Sequence, residues 1–166
     1  MSNKIVPSNL LEEKLSKFTQ EQKDIIFGNL FSIQLTDGCR SGCYDCGLAA
    51  KKTIEDYIPP SFLKQIASEP KIKKGISLYY ASDFFDYDFE GVGPLEVLEI
   101  FKDFRILTIT NAPKGKEELI FKILFEDLQR GSLRQVINVL SVTDFNYKRL
   151  ERAFENLDYV KKSSDA

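Results

Sequence analysis

The chain of 166 residues contains no histidine and no tryptophan. Without histidine it has no Ser-His-Asp or Cys-His nucleophile system and no histidine-ligated zinc. No stretch approaches about 18 uncharged apolar residues, so no membrane-spanning helix is expected, and residues 1–18 lack the continuous apolar segment of a secretory signal. A cytoplasmic protein with no membrane partner is the expectation. Basic blocks are missing as well: 23 Lys and Arg face 25 Asp and Glu, a net charge of −2. The phosphate-neutralising surface of a nucleic-acid binder is therefore not written here. What is present, 43% hydrophobic and 29% charged residues, matches an ordinary globular domain and excludes disorder, collagen and coiled coil. The length sets about one domain.

All three cysteines, Cys39, Cys43 and Cys46, fall in one short run. A disulfide framework needs an even count and an oxidising compartment, neither of which is indicated, and buried structural cysteines would be scattered, so a metal or redox role is favoured. Thiolates are soft ligands that select zinc, copper(I) or iron–sulfur clusters, and Gly38, Ser41, Gly42 and Gly47 give the loop freedom to converge on one centre. A structural zinc site needs four ligands, for which Asp45 or Asp37 is the available fourth. A cubane held by three cysteines leaves one iron open, as a catalytic metal requires. A dithiol of Cys43 and Cys46 is the third reading.

Apolar periodicity predicts one or two helices over 9–27, a strand over 30–36 running directly into the cysteine loop, and a helix over 61–68. Further strands are predicted at 75–80, 105–110 and 135–142, with helices at 94–101, 116–130 and 145–159. Alternating strands and helices imply an α/β fold with a parallel sheet. Four strand–helix units of roughly 32 residues match the roughly 31 per unit of an eightfold barrel but cannot close one. The expected division is a helical extension at 1–29, a (β/α) domain at 30–160 and a disordered tail at 161–166.

In such folds the active site lies at the carboxyl ends of the strands. The cysteine loop follows the first strand. The other ends are polar: Ala81-Ser82-Asp83, Thr110-Asn111 and Ser141-Val142-Thr143-Asp144. Helix caps and turns use the same residue types and account for any one of these ends alone better than a site does; their convergence on one edge beside the cysteine loop brings the two readings level.

The spacing Cys39-x-x-x-Cys43-x-x-Cys46 after a first strand resembles the cluster motif of the radical S-adenosylmethionine (radical SAM) enzymes. That resemblance implies a partial (β/α) barrel and a 4Fe-4S cluster on Cys39, Cys43 and Cys46, with S-adenosylmethionine on the fourth iron. It also implies cofactor contacts from Ala81, Ser82 and Asp83, in place of a Gly-Gly-Glu-Pro turn, and from Thr110, Asn111 and Ser141. An electron donor such as flavodoxin or ferredoxin is the implied partner, and the substrate is unknown. Two departures stand out: Asp45 occupies the usually aromatic position before the last cysteine, and the chain holds four of six core units. It reads as a truncated core, expected to self-associate or to take missing strands from a second polypeptide.

The acidic run at 86–91 opens like a calcium loop, but position twelve is Val97 and the closing glutamate is absent, so calcium is rejected. Its aromatics, Phe84, Phe85, Tyr87 and Phe89, are expected in packing more than in a substrate pocket.

Overall fold

The computed structural model describes residues 10–41, 43, 46, 48–129, 136–140 and 146–164. Helices α1 (Leu10–Leu15) and α2 (Gln20–Gly28) come first. They are separated by a capping box in which Thr19 Oγ1 accepts the Gln22 N–H at 3.2 Å and Gln22 Oε1 accepts the Thr19 N–H at 2.9 Å. Two amide donors bared at a helix start are thereby satisfied. A two-residue antiparallel pair follows, β1 (Thr36–Asp37) with β2 (Asp56–Tyr57). Helix α3 (Pro60–Ser68) begins on a proline, whose fixed φ and missing N–H suit the first helical position.

The remaining elements alternate: β3 (Gly75–Ser77), a 3₁₀ turn at Phe84–Asp86, α4 (Pro94–Ile100), β4 (Arg105–Thr110), α5 (Glu117–Gln129), β5 (Val136–Leu140) and α6 (Tyr147–Ser164). Strands β3, β4 and β5 are parallel neighbours in chain order. The architecture is mixed α/β, and the described strands do not close into a barrel.

Register and burial together show which side of the sheet is covered. Paired residues share a face, so Ile76 and Ile106 lie on one side, with Thr108, Thr110 and Leu140. The first four are buried, and Leu140 packs on a core that includes Leu63, Val97, Ile120 and Leu150 from the helices and Phe101 just past the end of α4. The other face carries Ser77, Leu107 and Ile109, only half-buried, and Val139, 45% exposed. Among the described residues that face is left partly open.

The predicted strand over 30–36 is reduced to a single parallel bridge, Ser32 to Ser77, with Ile33 N–H donating to Ser77 O at 2.9 Å and Ser77 N–H to Phe31 O at 2.8 Å. Its register still makes it the next parallel neighbour of β3. The chain then leaves the sheet, because Leu35 O accepts the Ile58 N–H at 3.0 Å and Thr36 turns to pair with β2. Strand β3 is also shorter than its predicted span. Its ladder reaches Leu78, whose N–H meets Leu107 O at 2.9 Å, before Ala81 adopts a left-handed φ of 48°. The expected aromatic packing is observed, with Phe84, Phe85 and Tyr87 fully buried. Burial pushes the Tyr87 phenol up, while its hydroxyl donates to Ile58 O at 2.6 Å. At the carboxyl end α6 continues to Ser164, past the predicted end at 159. No helix among the described residues is long and apolar enough to cross a membrane.

The one-sided core generates a contrast between two phenylalanines. Phe101 is fully buried and meets Phe104 edge to face at 5.3 Å, whereas Phe31 is 76% exposed. Chemical denaturation is expected to show a loss of about 3–5 kcal/mol for Phe101→Ala. Phe31→Ala should stay within about 0.5 kcal/mol of the parent.

Candidate functional site

Loop 38–51 leaves the carboxyl end of the first extended segment and is fastened at its base. Gly38 has a φ of 114°, and a Cβ there would lie 1.9 Å from the Thr53 carbonyl oxygen, so only glycine fits. Thr36 Oγ1 donates to Gly38 O at 2.8 Å, and the Cys39 N–H donates to Lys51 O at 2.7 Å. The exposed Lys51 ammonium bridges Asp37 at 2.9 Å and Glu55 at 2.6 Å. Solvated pairs of this kind add little stability, but they keep both ends of the loop together.

The 3₁₀ turn after β3 holds the middle of this loop. Residues three apart on a 3₁₀ helix eclipse, which lets Asp83, at its cap, and Asp86 act toward the same neighbour. Asp83, 3% exposed, accepts the Ser41 hydroxyl at 3.0 Å, the Asn111 N–H at 3.0 Å and the Phe85 N–H at 3.1 Å. Thr110 Oγ1 lies 2.9 and 3.0 Å from its two oxygens. Burial raises its carboxyl above the ordinary range, opposed by these donors. Asp86 Oδ2 accepts the Arg40 N–H at 2.7 Å, and the Cys39 thiol faces the same carboxylate. Its buried Oδ1 meets no donor of hydrogen-bond geometry. Desolvation raises Asp86 too.

The thiols sit in three different settings. Cys39 is half-buried, and desolvation pushes its thiol up against the opposing donors of Ser41. Cys46 is drawn down by the backbone N–H groups of Ala50, Leu48 and Ala49. Cys43 is exposed, and its Sγ accepts from Asn111 Nδ2 at 3.2 Å. All three are free thiols. Among the described residues no group of three or more His, Cys, Asp or Glu side chains is placed to hold a metal ion.

No family model, curated protein or solved structure matches the chain. The site therefore rests on its own geometry.

Of the residues picked from sequence, the structure brings Asp83, Thr110 and Asn111 to the cysteine loop. It uses them differently from the resemblance: Asp83 is a brace whose oxygens are taken up by protein donors, and Asn111 touches a thiol. Thr110 Oγ1 also accepts the Ala112 N–H at 3.0 Å. Ala81 shapes the turn through its left-handed φ, and Ser82 Oγ is buried with no hydrogen-bond partner among the described residues. Ser141 lies outside the described residues. Asn146 was not singled out from the sequence; it is buried and donates through Nδ2 to Asn111 O at 2.9 Å and Oδ1 at 3.0 Å. Asp86 was read only as the start of a calcium-like run, although its spacing from Asp83 was the available signal. Arg149, paired with Glu117 and donating to Ala112 O at 3.1 Å, buttresses the same turn.

In the metal-free chain Asp83→Ala is expected to lower stability by about 2–4 kcal/mol, because buried donors lose their acceptor. Ser82→Ala removes an unpaired oxygen and should be neutral or stabilising. Urea midpoints of the two variants check this pair. Gly38→Ala should expose loop 38–51 to limited proteolysis at protein concentrations where the parent resists, since its Cβ displaces the Thr53 carbonyl.

Proposed function

We propose that this chain is a radical SAM protein, built on a partial (β/α) barrel, that holds a 4Fe-4S cluster on Cys39, Cys43 and Cys46. The observation that carries the reading is the tethering of the cysteine loop to the carboxyl ends of β3 and β4, through Asp83 and Asn111, in a parallel sheet that runs in chain order. Held by Cys39, Cys43 and Cys46, such a cluster would supply one-electron reductive cleavage of the sulfonium C–S bond of S-adenosylmethionine, the chemistry that gives methionine and a 5′-deoxyadenosyl radical in that family.

The donor chemistry fits a thiolate-held cluster. Soft sulfurs lie beside N–H donors, namely the backbone amides at Cys46 and the Asn111 amide at Cys43, and such donors stabilise negative sulfur. Three sulfurs on one centre is an arrangement that loop 38–51 has to adopt on loading. For S-adenosylmethionine, Asp83 fits poorly as a ligand because its oxygens are already engaged. Ser82 Oγ, buried and unpaired, is the polar atom at that strand end still open to a cofactor. The chain's own residues thus orient the loop, exclude water from Asp83 and Thr110, and hold the Asn111 amide against sulfur. A low-potential electron carrier such as flavodoxin or ferredoxin is the proposed partner. Among the described residues β5 is the terminal strand of the sheet, and its edge is where strands of a second copy or another chain would add to complete the barrel and cover the half-open face with Leu107, Ile109 and Val139.

A second reading, a Cys43–Cys46 dithiol, is favoured by the amides that stabilise the Cys46 thiolate. A zinc module with a carboxylate ligand is the third, and Asp37, its described candidate, is engaged by Lys51.

Anaerobic reconstitution with iron and sulfide, followed by metal counting, separates them. About four irons per chain with broad visible absorption support the cluster; bound colourless zinc supports the module, and retention of neither supports the dithiol. Alanine at any one of the three cysteines should abolish iron retention, whereas Arg40→Ala should keep it. Arg40 reaches Asp86 through its backbone N–H, which the variant retains; among the described residues its side chain donates to the Tyr57 hydroxyl at 3.3 Å on the surface and acts on Asp86 by charge. A fully loaded Cys43→Ala chain would sink the cluster reading. Addition of S-adenosylmethionine should then change the paramagnetic resonance spectrum of the reduced parent.

A further inference from the structure

The polarity of the contact on Cys43 is fixed by a chain of hydrogen bonds that starts at a backbone carbonyl. A side-chain amide has two ends of similar shape, one donating and one accepting, and its partners decide which end faces which. Asn146 presents the same group to two atoms of residue 111, the backbone O at 2.9 Å and Oδ1 at 3.0 Å. A backbone carbonyl can only accept. The group that Asn146 aims there must therefore be its NH₂, and the Asn111 atom beside it must be the oxygen. The other end of the Asn111 amide, 3.2 Å from Cys43 Sγ, is left as the donor.

Each link in this chain is independently held. Asn146 is 1% exposed, at the start of α6, and its carbonyl accepts the Arg149 and Leu150 N–H groups at 3.0 Å. The Asn111 backbone is fastened separately, its N–H donating to Asp83 Oδ2 at 3.0 Å. Rotating the Asn111 amide would set its oxygen against a sulfur and its NH₂ against the NH₂ of Asn146. Both contacts would be repulsive, so the donor orientation is the one the site retains.

We propose that Asn146 is a positioning residue that locks Asn111 as an N–H donor to the Cys43 sulfur, and that this N–H···S bond tunes the one-electron reduction of the centre held there. The redox part rests on the cluster reading above and on Cys43 keeping this contact as loop 38–51 closes on the irons; the lock itself does not. An N–H donor stabilises a thiolate more as negative charge on the metal centre increases, so it favours the reduced form. Removing it makes the added electron less favourable.

Two measurements test this on the full chain. In the reconstituted protein, dithionite titration in the presence of mediators should show that Asn111→Leu and Asn146→Ala each lower the reduction equilibrium constant by about three- to tenfold, tenfold being about 59 mV for one electron. Phe154→Ala, which removes the ring contact of α6 with Phe121 at 5.8 Å, further along the helix and outside the relay, should leave it unchanged. No shift in Asn111→Leu, or an equal shift in Phe154→Ala, overturns the tuning role. In the metal-free, ¹⁵N-labelled chain, the side-chain amide protons of Asn111 should move in Cys43→Ala and in Asn146→Ala. If they stay in place in Cys43→Ala, the lock is overturned whether or not iron binds. A parent chain that takes up no iron overturns the cluster reading and its tuning, and the amide spectra then decide the lock alone.

Discussion

Burying a carboxylate costs several kcal/mol unless donors meet its oxygens. Asp83 finds its donors on three separate stretches of chain: Ser41 in the cysteine loop, Phe85 in its own turn, and Thr110 with Asn111 at the end of β4. Two of these stretches have little regular structure of their own: the turn after β3 is three residues of 3₁₀ helix, and the loop between β1 and β2 has no regular structure in its described part. One desolvated acid thus ties both to a single edge at the end of the central strand, β4. Asp86 repeats the device one 3₁₀ turn later, toward Arg40.

That edge explains why the three sulfurs differ chemically despite lying so close in sequence. Cys39 is on the inner side of the loop, where the carboxylates and the loss of water oppose a negative sulfur. At Cys46 the backbone amides of Ala50, Leu48 and Ala49 favour one. Cys43 is exposed and takes the side-chain amide of Asn111. A soft electrophile or metal approaching from solvent therefore reaches Cys43 more readily than the desolvated Cys39.

The parts of the fold written in local chemistry were legible in advance. Strand β4 was read at the bounds it has, because Arg105-Ile-Leu-Thr-Ile-Thr110 is a β-rich run bounded by polar residues. Helices α3 and α4 were anchored by prolines. The segment at 30–36 alternated equally well but lost most of its ladder, because its far end is claimed by a turn that no periodicity reveals. At the site the polar strand ends were visible as a group, while their roles were not. Asp83 looked like a ligand position and is a brace. Asn146 carries no motif at all; its importance comes from lying beside Asn111, 35 positions earlier in the chain.

The two ladders of the sheet share a regular offset with a kinetic meaning. Gly75 pairs with Arg105 and Ile106 pairs with Val136, so each strand docks on a neighbour 30 residues away. Closing a loop of that length costs about 3 kcal/mol in chain entropy beyond a constant, and the cost is the same at each step. Pairing of β3, β4 and β5 is therefore expected to advance one unit at a time, in the order of synthesis, with neither closure longer than the other. The cysteines belong to the earliest unit and Asn146 to the last. On a growing chain the thiols emerge well before the amide that Asn146 orients toward them, so their final electrostatic setting arrives only when α6 docks.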